Sequence, residues 1–188
     1  AGDKYAIGYF GYAYYNEHTD KLKALAVHDV EPSKANVDND TYPLSRPLFM
    51  YSDAKIMAEK PQVAAFIAFY LANVNNEIGD VGSFPAPNLY SAWGAWLSTQ
   101  SVSVDPSAVS GDIITAGSST VFPLSERMAE LFQNEGYTGN ITVDSIGSGG
   151  GFERFCKTGE TDVANASRPI KSSEKEACAA IGRTPLEF

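Results

Sequence analysis

Three short stretches of this chain put small residues and hydroxyls where an apolar run gives way to a helical pattern. They are Gly117-Ser118-Ser119-Thr120, Gly147-Ser148-Gly149-Gly150-Gly151 and Asn165-Ala166-Ser167-Arg168. A helix start leaves about four backbone N–H groups without intrahelical partners and carries roughly half a positive charge, so glycine and serine there let an anion approach the donors directly. Ser and Thr hydroxyls supplement the amides, and Arg168 brings a guanidinium to the third stretch. Each stretch taken singly also suits an ordinary tight turn with a Ser or Thr cap. If the runs before them are neighbouring strands, however, all three open at one carboxyl edge, the place where open α/β sheets bind ligands.

Neither glycine loop is a nucleotide motif. No Lys followed by Ser or Thr ends a phosphate loop, and Phe152 stands where GxGxxG needs its last glycine. A small oxyanion held by neutral donors fits better, because local amide dipoles can supply the field without a positively charged protein. Catalytic sets are thin: His18 and His28 lie among polar residues near the amino end, and no GxSxG elbow accompanies any serine. Asn36, Asp38 and Asp40 have the first spacings of a calcium loop, but Thr41 and Pro47 replace its Gly and Glu, so a solvated loop is expected. The N-x-Ser/Thr triplets at Asn39, Asn140 and Asn165 carry no assigned function.

The elements that must position these stretches follow from periodicity. Leu25-Ala26-Val27 and Leu48-Phe49-Met50-Tyr51 read as strands, with residues 31–46 between them as a long surface loop. Val63, Phe66, Ile67, Tyr70, Leu71 and Val74 recur at helical spacing after Pro61, and Gly79 follows. A second helix is expected after Pro87, carrying Leu89, Trp93, Trp96 and Leu97, and residues 98–112 read as a linker without a core face. Beyond it, strands at 113–116, 141–143 and 163–166 alternate with helices at 122–134, 151–157 and a last one opened by a capping box at Ser173-Glu174-Lys175-Glu176. That alternation predicts an open, mostly parallel α/β sheet.

Composition bounds the answer. The 188 residues, 44% of them hydrophobic, suit one compact domain with a sizeable core. A formal net charge of -9 excludes broad binding to nucleic acid. No apolar run approaches the roughly 18 residues of a membrane helix, and residues 1–30 do not read as a signal peptide. Cys156 and Cys178 lack zinc-site spacing, and by themselves fit either a disulfide or two buried thiols.

Taken together, residues 116–123 (AGSSTVFP), 146–152 (IGSGGGF) and 165–170 (NASRPI) resemble the periplasmic phosphate-binding proteins of bacterial ABC importers. Residues 113–188 resemble the amino-terminal segment of that family, whereas residues 1–97, including 6–12 (AIGYFGY) and 47–51 (PLFMY), resemble its carboxyl-terminal segment. The order is reversed and the family's middle segment is missing. The resemblance therefore implies a circularly permuted, isolated first lobe of a type II periplasmic binding protein. It is expected to be a single α/β domain with helices on both faces of the sheet, its old termini joined through the connection at 98–112 and the arrangement made deliberately.

The same resemblance implies the site. Thr120 and Val121, through hydroxyl and backbone amide, would meet inorganic phosphate together with Ser148 and Ser167, with Ser119, Gly149 and Arg168 beside them. Some members carry Asp at the place of Ser167 to accept a phosphate proton, which this chain lacks. An exported protein implies a Cys156–Cys178 disulfide, a periplasmic or secreted parent, and no cofactor, metal or catalysis. The implied partners are a second lobe and the importer's permease, with the bared interlobe face open to pairing with another copy.

Overall fold

The computed structural model describes residues 3–79, 83–84 and 105–188. Its centre is a five-stranded sheet: β1 (Phe49–Asp53), β2 (Ile113–Gly117), β3 (Ile141–Ser145), β4 (Val163–Ala166) and β5 (Pro185–Glu187), in the order β3-β2-β4-β1-β5. β2 pairs in parallel with β3 and β4, while β1 pairs antiparallel with β4 and β5. Four strands thus run one way and β1 runs against them, which puts the carboxyl ends of β2, β3 and β4 along a single edge. The mixed α/β class and open sheet expected from the alternation are what the chain forms.

The helices among the described residues are α1 (Tyr12–Asn16), α2 (Lys34–Asp38), α3 (Ala54–Glu59), α4 (Pro61–Glu77), α5 (Phe122–Asn134), α6 (Gly147–Glu153) and α7 (Ser172–Ala180). Successive strand residues point to opposite faces, so each strand feeds two cores. Met50 and Val163 join the cluster of Val63, Phe66, Ile67 and Tyr70 from α4 with Leu124, Met128 and Phe132 from α5. Their neighbours Tyr51 and Ala164 join Phe152, Phe155, Cys156 and Cys178 on the other face. Residues from both halves of the chain fill the first core, and β1 from the first half lies inside the sheet built by the second.

Local chemistry explains most boundaries. Pro61 occupies the first turn of α4, where its missing N–H costs nothing, and residues 63–71 are all buried, more than one helix face would require. Gly136, at φ 106°, follows α5.

Several expectations change. Leu25, Ala26 and Val27 form no strand: Val27 makes only an isolated bridge to Val30, and Leu25 is exposed, because no strand among the described residues runs beside them. The loop at 31–46 contains α2, whose first turn is capped by the Ser33 hydroxyl accepting the Asn36 N–H at 3.3 Å. The helix read at 151–157 starts earlier, at Gly147, and passes into a wider π turn over Arg154–Thr158. The last helix is capped two residues early. Its Glu174 carboxylate accepts the Lys171 N–H at 2.8 Å, so the box centres on Lys171 and not on Ser173. Within the expected linker, Pro106 is buried in a short 3-10 turn and Val109 packs against the core. The helix expected after Pro87 and residues 98–104 lie outside the described residues.

Candidate functional site

The three glycine and serine stretches meet at the carboxyl edge of β2, β3 and β4, and hydrogen bonds tie each to the next. After β2, Ser118 donates its N–H to the Asn165 carbonyl on β4 at 2.9 Å. After β3, Ile146 donates to the Gly117 carbonyl at 3.0 Å. After β4, Ser167 donates its N–H to the Ser148 hydroxyl at 3.1 Å, and the two hydroxyl oxygens stand 3.5 Å apart. Two glycines make this closeness feasible. Gly117 adopts φ 152°, and a Cβ there would land on the Asn165 carbonyl. A Cβ on Gly151 would come within 2.7 Å of both the Ala116 oxygen and the Gly117 Cα, so α6 can pack hard against the end of β2.

The first turn is organised by Ser118, a buried residue of the first stretch that was not among the expected ligand contacts. Its hydroxyl accepts the Thr120 N–H at 3.2 Å and its carbonyl accepts Val121 and Phe122 at 3.1 and 3.0 Å. Ser119 is exposed, Thr120 half-buried and Val121 buried. The Val121 amide, expected at the ligand, is thus engaged with the Ser118 carbonyl in this structure. Gly11 lies alongside: a Cβ on it would sit 3.6 Å from Thr120 Cγ2, so the segment before α1 reaches this edge. In the second turn Ser148 is half-buried and Gly149 exposed at the start of α6.

Arg168 is tied to Glu174. Its guanidinium makes two hydrogen bonds to the Glu174 carboxylate, at 2.8 and 2.7 Å, a third to the Pro169 carbonyl, and lies over the Phe152 ring. Burial pushes the Glu174 carboxyl up, but the hydrogen bonds from Arg168 and the Lys171 amide and the two nearby positive charges outweigh it and hold that carboxyl below its ordinary value. In this arrangement Arg168 is a salt-bridging residue.

A buried polar set that periodicity alone hid lies under the edge. Asn165 donates to the Thr115 hydroxyl at 2.8 Å and the Ser125 hydroxyl at 3.2 Å, and Ser125 meets the Tyr70 hydroxyl at 3.3 Å. Thr115 in a buried strand and Ser125 one turn into an amphipathic helix were the available signals. The Cys156–Cys178 disulfide forms, tying the π turn after α6 to α7. Among the described residues no three His, Cys, Asp or Glu side chains group as a metal site, and no helix is long and apolar enough to cross a membrane.

Chemically, the edge offers hydroxyls, a helix start and backbone amides, with no carboxylate in any of the three stretches. That inventory can hold an anion and offers no nucleophile–base pair to do chemistry on it.

Comparison with known proteins gives the following. The family model described as PBP superfamily domain matches residues 1–74 and 103–187. Protein SphX of Synechococcus elongatus is 56% identical over 77 residues, covering 40% of this chain and 23% of that protein. The phosphate-binding protein PstS of Staphylococcus epidermidis is 36% identical over 90 residues, covering 45% of this chain and 28% of its own length. The matched stretches thus span about a quarter of these relatives' length. In structure, the chain resembles the phosphate-binding protein of a phosphate ABC transporter from Streptococcus pneumoniae, with a TM-score of 0.64 and 22% identity, over 88% of this chain and 56% of that one.

Proposed function

We propose, for a chain that belongs to the PBP superfamily domain family, that the edge where β2, β3 and β4 end binds inorganic phosphate without transforming it. The observation that carries this reading is the junction of the three turns, above all the Ser148 hydroxyl seated on the Ser167 amide beside the first turn of α6. Thr120, Ser148 and Ser167 offer hydroxyls to the anion, Ser119, Gly149 and Val121 frame it, and Arg168 contributes long-range charge while it stays on Glu174. The relatives named for phosphate binding support the choice of anion. In this reading the chain is one lobe of a solute receptor that delivers phosphate to an ABC permease outside the cytoplasm. The disulfide supports that compartment. The reversed order of its two segments belongs to the same reading. It rests on the motifs quoted above and on the single sheet that residues 49–53 and 113–187 build.

One lobe encloses an anion from one side only, so water competes and a dissociation constant on the order of millimolar is expected, equivalent to about 4 kcal/mol. Calorimetric titration of the phosphate-stripped chain with orthophosphate, with sulfate, and again on Ser148→Ala tests this. Saturable heat that the substitution abolishes is the expected result. No heat up to about ten times that concentration would refute it.

A second reading, self-association without phosphate, is favoured by one observation. Tyr5, Ile7 and Tyr9, at alternate positions near the amino end, are 80%, 85% and 68% exposed. Mass that stays monomeric across micromolar to millimolar protein would remove it.

A further inference from the structure

We propose that Asn165 is a positioning residue for the anion site, fixing the turn after β2 against the turn after β4 without touching the ligand. The proposal rests on the phosphate reading for its affinity arm, and on geometry alone for the rest.

Asn165 is 2% exposed and lies on β4, two residues before Ser167. Its side-chain amide reaches both elements that launch the first turn. One hydrogen goes to Thr115 on β2, two residues before Gly117, and the other to Ser125, near the start of α5 and behind Val121. Its backbone carbonyl takes the Ser118 N–H, the bond that begins the turn itself. One residue therefore holds the strand before the turn, the turn's first amide and the helix after it, while its own chain continues into Ser167. Tyr70, from α4, closes the set by its contact with Ser125.

The side chain's other atom makes packing an insufficient explanation. Asn165 Oδ1 is buried with no hydrogen-bond partner among the described residues. An unpaired buried acceptor is costly, and a leucine of similar size would fill the same space without it. Asn165 is intelligible as the residue whose two donor hydrogens bridge β2 and α5 at a fixed spacing. Ser148 already sits on the Ser167 amide, so fixing the first turn relative to Ser167 fixes all three turns.

The experiment compares the intact chain with Asn165→Leu and Ser125→Ala. Two readouts are followed: the dissociation constant for inorganic phosphate, and amide hydrogen exchange at Ser118 relative to Ile114, which lies at the opposite end of β2. The expected result is a dissociation constant raised roughly tenfold in Asn165→Leu and about threefold in Ser125→Ala, with Ser118 exchange accelerated well beyond that of Ile114. Should Asn165→Leu fail to fold, Ser125→Ala, which deletes a single oxygen, decides. Unchanged affinity, or a uniform acceleration of both amides, reduces Asn165 to a stabilising residue and overturns the proposal. If the unaltered chain itself takes up no phosphate, the phosphate reading fails, and the Ser118-to-Ile114 exchange ratio still decides whether Asn165 sets the turn.

Discussion

Two glycines in the same short helix should respond to alanine with opposite sign. At Gly151 a Cβ would stand 2.7 Å from the Ala116 carbonyl oxygen and from the Gly117 Cα, both backbone atoms of the strand end that α6 packs on. Neither can rotate away, so α6 must lift by several tenths of an ångström, carrying Ser148 off the Ser167 amide. Overpacking of this kind costs about 1–3 kcal/mol, or about 2–12 °C of Tm for a chain of this size. At Gly149 nothing lies within 4 Å of the added methyl, and φ is outside the left-handed range. There alanine only removes glycine's conformational entropy in a helix, which stabilises by up to about 1 kcal/mol. Thermal and urea unfolding of Gly151→Ala and Gly149→Ala, measured in parallel, check the contrast. A Gly151→Ala protein as stable as the parent would show that α6 does not press on β2 as described, and a Gly149→Ala protein less stable than Gly151→Ala would refute the reasoning outright.

Two further outcomes follow from the face that carries α6 and α7. Replacing both Cys156 and Cys178 by Ser, which opens a loop spanning a separation of 22, should cost about 3 kcal/mol in the chain-entropy picture; comparing urea midpoints of oxidised, reduced and substituted protein measures it. The Arg168–Glu174 pair should show its sign in acid. Because the folded Glu174 carboxyl titrates below its ordinary value of 4.5, its contribution is present above that value and is lost as pH falls through the lowered one. Glu174→Gln should therefore unfold more readily than the parent at pH 7, and the two stability curves should converge in acid; a gap that widens on acidification would contradict the pairing.

The strands at β2, β3 and β4, the helices α4 and α5, and the three stretches that follow the parallel strands are legible in the sequence. They rest on short-range signals: apolar residues at period two or three to four, proline in a first turn, glycine where the chain must pass close to another backbone. Thr120, Ser148 and Ser167 come to the same edge for that reason, since each follows the carboxyl end of a strand within three residues. What tertiary structure decided depends on partners far away in the chain. Leu25, Ala26 and Val27 have strand-like composition but no strand among the described residues beside them, whereas Pro185–Glu187, too short to signal anything, becomes β5 because β1 offers it a free edge. The reversal of β1 between β4 and β5, the engagement of Arg168 by Glu174, and the bridge that Asn165 makes from Thr115 to Ser125 are likewise invisible to periodicity. Hydrogen bonds spanning 40 to 50 residues of chain, such as those of Asn165, exist only once the sheet has set its strand order.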